Sequence, residues 1–316
     1  MTDILWGLFH ILVFPGLLFV SVIGLLLAGI DRKVLARMQK RVGPPIIQPV
    51  YDFFKLMGKE TIVPHAANKA VFLGAPVVGF VSLVVMMLFI PIFGYSAFSG
   101  NGDLIVILYL LTIPAVALIV GGSASGSPFA GIGISREMVT MMAYELPLII
   151  VFLSVAKVVG GDSLCFSMKG IAEWQAANGC AIACWKLIPA AIAMLMVIPA
   201  EVGTQPFDVA EAETEICEGP LIEYSGAPLA MFKLNTAVKM FIMTSLFTFL
   251  FLGGIDTGIV ALNALILVVI CALLTIITMT LIHAISARLK IEHLFKFYWT
   301  VVAGLAALSL ILVWIF

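Results

Sequence analysis

Charge is what this sequence has least of. Only 11% of its 316 residues are Asp, Glu, Lys or Arg and 62% are hydrophobic, where a soluble domain has about 25% charged and roughly 45–50% apolar residues. That balance excludes a water-soluble enzyme. At about 20 residues per membrane crossing, the length leaves room for loops but for no sizeable extramembrane domain. A net charge of -1 without a concentrated basic face excludes nucleic acid as a partner. Cysteine is also sparse. Cys165, Cys180, Cys184, Cys217 and Cys271 form no CxxC pair, so neither zinc nor an iron-sulfur cluster is expected in this chain. Cys180 and Cys184 are four apart and read as small residues on one face of a membrane helix, a disulfide through Cys165 being the lesser alternative. His10, His65, His283 and His293 show no paired spacing and read as packing or interfacial residues. The Gly/Ser stretch Gly121–Gly133 lacks a Gly-Lys-Ser/Thr ending and reads as a flexible turn between spans. No dinucleotide fingerprint or Ser/His/Asp arrangement is present, which places redox or hydrolytic chemistry in other chains. No repeat period or linker divides residues 1–316, read as a single membrane domain.

What is present is a series of long apolar runs, at about 4–30, 71–93, 104–122, 137–159, 181–200, 227–252, 258–282 and 297–316. They predict an all-α polytopic protein of eight spans. The first run is too long for a signal-peptide core and reads as a retained helix. Basic residues crowd the 31–70 segment (Arg32, Lys33, Arg37, Lys40, Arg41, Lys55, Lys59, Lys69), and Arg288, Lys290 and Lys296 precede the last span. The positive-inside rule makes both loops cytoplasmic. Eight spans then put both termini outside and bring Arg136 and the 201–226 loop to the cytoplasmic side. Within 44–60, apolar residues Ile46, Ile47, Val50, Phe53, Phe54 and Met57 recur at helical spacing with Asp52, Lys55 and Lys59 off that face. This predicts a short interfacial helix, either a generic anchor or a platform for a soluble partner.

The 201–226 loop breaks the charge pattern. It holds Glu201, Asp208, Glu211, Glu213, Glu215, Glu218 and Glu223 with no Lys or Arg. If 207–218 were helical, Asp208, Glu211, Glu215 and Glu218 would share a stripe roughly 80° wide. Carboxylates so crowded cannot all ionise cheaply, and some should exchange protons near neutral pH. A solvated acidic face, or one neutralised by the basic segment, is the plainer reading of the loop alone. Three charges inside the spans weigh against it. Glu145 lies about 13 Å beyond Arg136, and Lys233 and Lys239 about 9 and 18 Å into the sixth span, at 1.5 Å per residue. Each costs about 2.5–3.5 kcal/mol at a helix centre and marks an ion pathway or a paired site. The expected mid-depth pair is Lys239 with Glu145.

Several segments, in order, resemble the membrane subunit that joins the redox arm to the pumping arm in respiratory complex I and in energy-converting nickel-iron hydrogenases. They are Asp31-Arg32-Lys33 with Gln39 to Pro44; Gln48-Pro49 with Asp52, Lys55, Lys59-Glu60 and Pro64; Ser135-Arg136-Glu137 with Ala143-Tyr144-Glu145; Ala200-Glu201, Pro206-Phe207-Asp208 and Glu211-Ala212-Glu213; and Glu218-Gly219-Pro220 with Glu223 to Gly226. The resemblance implies a proton path through Glu145, Glu201, Asp208, Glu211, Glu213 and Glu223, to which the costly Lys233 and Lys239 are added. It implies a docking surface at Arg32, Arg37, Arg41, Lys59 and Arg136, extended here to Lys33, Asp52, Lys55 and Glu60. Thr204 where complex I members resemble an arginine, Pro220 after the glycine, and lysines in the sixth span look more like the formate hydrogenlyase or Ech type.

The resemblance implies a non-redox anchor and coupling subunit of a hydrogen-evolving, proton- or sodium-translocating complex in a bacterial or archaeal inner membrane. Its implied partners are soluble hydrogenase large and small subunits, an iron-sulfur subunit, an antiporter-like membrane subunit and membrane lipid. Iron-sulfur clusters and the nickel-iron centre would sit in those partners. The alternatives are the quinone-binding subunit of a complex I type dehydrogenase, with a wide cavity between the first and sixth spans, and an independent ion-coupled transporter.

Overall fold

The computed structural model describes residues 10–14, 16–91, 100–161, 163–253 and 259–315. Parts of the expected spans at 4–9, 15, 92–93, 258 and 316 lie outside them. Among the described residues there is no strand, and eight helices are long and apolar enough to cross a membrane. The chain runs α1 Leu17–Met38, the amphipathic α2 Gln48–Met57, α3 Lys69–Phe89, α4 Asp103–Ala124, α5 Pro128–Gly160, α6 Met168–Asn178, α7 Ile188–Val202, the one-turn α8 Glu213–Ile216, α9 Gly226–Leu252, α10 Ala261–Ile285 and α11 Ile291–Ile315. The helices α1, α3, α4, α5, α7, α9, α10 and α11 are the spans. Helix α2 lies where the apolar spacing of 44–60 predicts it. The last three spans each contain a π-helical turn, at Thr248–Leu252, Ile276–Thr280 and Tyr298–Val302.

Boundaries differ from the hydropathy reading where charge or glycine misleads it. Helix α1 continues through Arg32, Lys33 and Arg37, because a helix whose last turns reach the interface can carry basic side chains into water. Gly121–Gly133 is mostly helical, not a flexible turn. Helix α4 runs to Ala124, and Pro128 at the first turn of α5 restarts the helix after three residues. The glycines are there for close approach. A Cβ at Gly122 or Gly133 would press on Pro220, so the acidic loop seats directly on these helices. The fifth span starts with two 3-10 turns around Cys184 before α7 begins, so Cys180 and Cys184 do not share a helix face, and Cys165 is a free thiol.

Helix α9 is the most buried span and packs on α1, α3 and α7. Gly24 of α1 lets the α9 backbone come close at Ala237, the small-residue contact that membrane helices use. Prolines inside the spans free carbonyls that need donors in oil. Pro76 deprives the Phe72 carbonyl of its helical N–H, and the Tyr224 hydroxyl donates to it at 3.2 Å. The Tyr224 ring also stacks on Phe72, centroids 4.0 Å apart. Burial pushes the Tyr224 phenol up, which keeps it a donor.

Cross-contacts gather four loops at one end of the bundle. Ile62 N donates to Ser225 Oγ at 2.9 Å, Asn68 N to the Ala124 carbonyl at 3.1 Å, and Leu289 N to the Pro206 carbonyl at 3.2 Å. The 39–68, 125–127, 203–225 and 286–290 connections therefore share a face, which is where the charge count groups them.

Candidate functional site

The 203–225 segment is not one helix. Gly203 ends α7 in the left-handed region, Pro206 and Pro220 interrupt the backbone, Cys217 and Glu218 take positive φ, and only Glu213–Ile216 is α-helical, with a single 3-10 turn at Gly219–Leu221. The acidic stripe expected over 207–218 therefore does not form. Like charges on one face are relieved instead by turning the carboxylates to different partners. Asp208 accepts from Arg288 Nη2 at 2.8 Å and Nε at 3.1 Å. Glu215 accepts from Arg136 Nη1 at 2.5 Å. Glu211 turns inward. Arg288 also donates to Thr214 Oγ1 at 3.2 Å, and Arg136 to the Val209 carbonyl at 3.4 Å, so two guanidinium groups clamp the loop to the bundle.

Beneath the loop, α4, α5, α7 and α9 enclose a cavity of about 60 Å3 with Glu137, Thr140, Glu201, Asp208, Glu211, Asn235 and Lys239 in its wall. That volume holds a few waters, at roughly 10–15 Å3 each on the same measure. At its deep end Lys239 Nζ sits 2.6 Å from Glu201 Oε1, and both side chains are buried. The expected pair of Lys239 with Glu145 is thus corrected. Glu201, the penultimate residue of α7, is close enough to form the bond, while Glu145 is half-buried on α5 within electrostatic reach of both. The Asn235 amide donates to the Pro76 carbonyl at 3.1 Å, while its Oδ1 is buried without a protein donor.

Four carboxylates face this space and two have cations. Lys239 takes Glu201 and Arg288 takes Asp208. Glu137 and Glu211 form no ion pair within 4 Å among the described residues. Burial, helped by Glu137, Asp208 and Glu218 and opposed by Lys233, pushes the Glu211 carboxyl up to about 7. A group so poised takes up or releases a proton at neutral pH.

The other expected relay residues lie elsewhere. Glu213 is exposed, Glu223 is half-buried off the cavity wall, and Lys233 is exposed beside a crevice between α1, α2 and α9. Of the expected docking residues, Arg32 pairs with Asp52 at 3.1 Å and Lys33 donates to the Val42 carbonyl at 3.0 Å. Arg41 contacts Gln39, and Arg37, Lys55, Lys59 and Glu60 are exposed. Composition missed Glu137, which reads as the polar end of a span, and Arg288, which counts only toward orientation. The Ser-Arg-Glu spacing held a clue to Glu137: one turn of α5 carries Arg136 toward the loop and Glu137 into the bundle.

The family pattern described as "NADH dehydrogenase" matches residues 10–314. The chain belongs to the NADH dehydrogenase family. It is 38% identical over 229 residues to Hydrogenase-4 component C of Escherichia coli K12, covering 72% of this chain and 70% of that protein. It is 34% identical over 236 residues to a subunit of the NADH-quinone oxidoreductase of Bordetella pertussis, covering 71% and 66%. The matched stretches take in about two thirds of each curated relative. In three dimensions it resembles a chain of the membrane-bound sulfane sulfur reductase, an archaeal respiratory membrane complex. The TM-score is 0.88 at 30% identity, over 99% of this chain and 100% of the other. Family membership and eight spans together identify a membrane subunit of a respiratory-type oxidoreductase complex.

Proposed function

We propose that this chain is the anchor and coupling subunit of a hydrogen-evolving, ion-translocating complex in a bacterial or archaeal inner membrane. Soluble hydrogenase large and small subunits and an iron-sulfur subunit dock on its loop-bearing end, and an antiporter-like subunit lies beside it in the membrane. The iron-sulfur clusters and nickel-iron centre belong to those partners. The loop-bearing end is cytoplasmic and both termini are outside, as the basic residues direct.

One observation carries the reading: Glu137, Glu201, Asp208, Glu211 and Lys239 meet in one cavity with room for a few waters, directly under the loops that a partner would cover. A change of charge in a docked partner alters the proton affinity of these groups, and each pKa unit is about 1.4 kcal/mol of driving force. Glu211 exchanges protons with the loop side, Glu137 and the Glu201–Lys239 pair pass them deeper, and Glu145 lies on the way to a neighbouring subunit.

The quinone reading, which the likeness to a subunit of an NADH-quinone oxidoreductase also supports, expects a wide cavity between the first and sixth spans. The crevice between the first and sixth spans measures about 60 Å3, against roughly 300–1,000 Å3 for a small-molecule site. The test is inverted membrane vesicles holding the complete complex, with the ion gradient measured per hydrogen evolved. Glu201→Gln and Glu145→Gln should lower that ratio while nickel and iron still co-purify. An unchanged ratio overturns the coupling role. Activity of the chain purified alone would favour a transporter instead, and inhibition by quinone analogues would favour the dehydrogenase.

A further inference from the structure

Arg288 holds Asp208 at the cavity wall, and Arg288 is itself braced from behind. With its amide oriented to satisfy both neighbours, Gln205 accepts at its oxygen from Arg288 Nε and Nη2, both at 3.2 Å, and donates from its nitrogen to His283 Nε2 at 2.7 Å. His283, on α10, lies within electrostatic reach of Asp31 on α1, which also feels Arg32. Asp31 Oδ1 accepts from Thr280 Oγ1 at 2.6 Å, at the end of the π-helical turn Ile276–Thr280. A polar line thus runs from α1 through α10 and the acidic loop into the cavity, and the function described above makes no use of it.

An amide presents an acceptor on one side and donors on the other. Gln205 can brace Arg288 with its oxygen only while His283 Nε2 is an unprotonated acceptor. Once His283 carries a second proton, Nε2–H requires an acceptor. Gln205 then turns its oxygen to the imidazolium and its NH2 toward the guanidinium, donor against donor. Arg288 loses its brace and its hold on Asp208 loosens. The charged groups nearest this end of α10 are Asp31, with Arg32 beside it, and Arg288 on the far side of Gln205. The imidazole is the side chain whose charge changes between about pH 5 and 8.

We propose that His283 and Gln205 are positioning residues for proton transfer at Asp208: the proton on His283 sets which way the Gln205 amide faces, and so whether Arg288 holds Asp208 or releases it to the cavity. The proposal rests on the relay reading above. It makes His283 a sensor of the loop-side proton supply that opens the entrance when protons are plentiful. It also ties α1, whose end carries the expected docking residues Arg32 and Lys33, to the cavity through Asp31.

The test is the ion gradient per turnover of the complete complex in inverted vesicles, with loop-side pH stepped across about 5 to 8. The unmodified chain should show a component that rises toward acid, spanning roughly tenfold for the loss of one charge-assisted hydrogen bond. His283→Gln, which never becomes charged, should lose that component. Gln205→Glu, which accepts from both sides, should lose it while Arg288 stays braced, and it carries the same test if the histidine variant fails to assemble. A histidine variant with the unmodified pH profile, or a uniform loss at every pH in both variants, overturns the proposal. Asp208→Asn separates the two failures. No effect of that substitution at any pH, in a complex whose gradient Glu201→Gln still lowers, defeats the switch alone, as does a loss at all pH values beside an unaltered histidine profile, whereas a gradient unchanged in Glu201→Gln as well defeats the relay itself.

Discussion

Lys239 Nζ lies 2.6 Å from Glu201 Oε1, joining α9 to α7 at the deep end of the cavity, with both groups out of reach of bulk water. A charge in that position is tolerable only with its partner. Removing one side leaves the other uncompensated, which costs about 3–5 kcal/mol, whereas removing both does not.

Glu201→Gln and Lys239→Met should therefore each destabilise the purified complex, and together cost far less than their sum. Thermal unfolding in mild detergent measures this. Glu145→Gln should couple to Lys239→Met more weakly, since Glu145 is only an electrostatic neighbour. Additive losses in the first pair would contradict the observed bond.

Glu211 supplies a pH prediction with a definite sign. Its carboxyl is raised from 4.5 to about 7 by burial and by Glu137, Asp208 and Glu218. The folded state therefore holds a proton that the unfolded chain releases between those values. Its contribution is fully present below about pH 4.5 and is lost as pH rises through about 7. Glu211→Gln should flatten this decline, and melting temperatures of the two proteins should diverge most on the alkaline side. Parallel curves would contradict the assignment.

The two lysines of α9 should behave differently. Lys239 is buried on the cavity wall and Lys233 is exposed by a crevice outside it. Lys239→Met should abolish most of the gradient per turnover, and Lys233→Met should lower it by less than about threefold, in keeping with the small value of an exposed charge. Equal losses would place the relay elsewhere.

How far the sequence reveals this arrangement depends on which physics decides each part. The all-α fold and eight spans are legible because burial in lipid acts on every residue of a run, and α2 is legible from its apolar spacing alone. The π-helical turns are not, and two of them hold residues bonded to neighbouring helices: Thr280 donates to Asp31, and Tyr298 to the Met196 carbonyl at 2.7 Å. The cost of Lys239 in oil is readable, but its partner is not. Depth along α5 favours Glu145, and the actual choice of Glu201 depends on where α7 ends. In the acidic loop the abundance of carboxylates signals a site, while their sorting between Arg136, Arg288 and the cavity depends on tertiary clamps that no local period encodes. His283 reads as packing because its significance comes only from Gln205, far away in the chain.

Carboxylates that carry the coupling must change protonation as the complex turns over. Infrared difference spectroscopy on the intact complex measures this directly, comparing the resting and working enzyme in the protonated-carboxyl region. Difference bands should appear there and weaken selectively in Glu137→Gln, Glu201→Gln and Glu211→Gln. A spectrum in which no carboxyl band changes during turnover, or in which the bands survive all three substitutions, would contradict the coupling role.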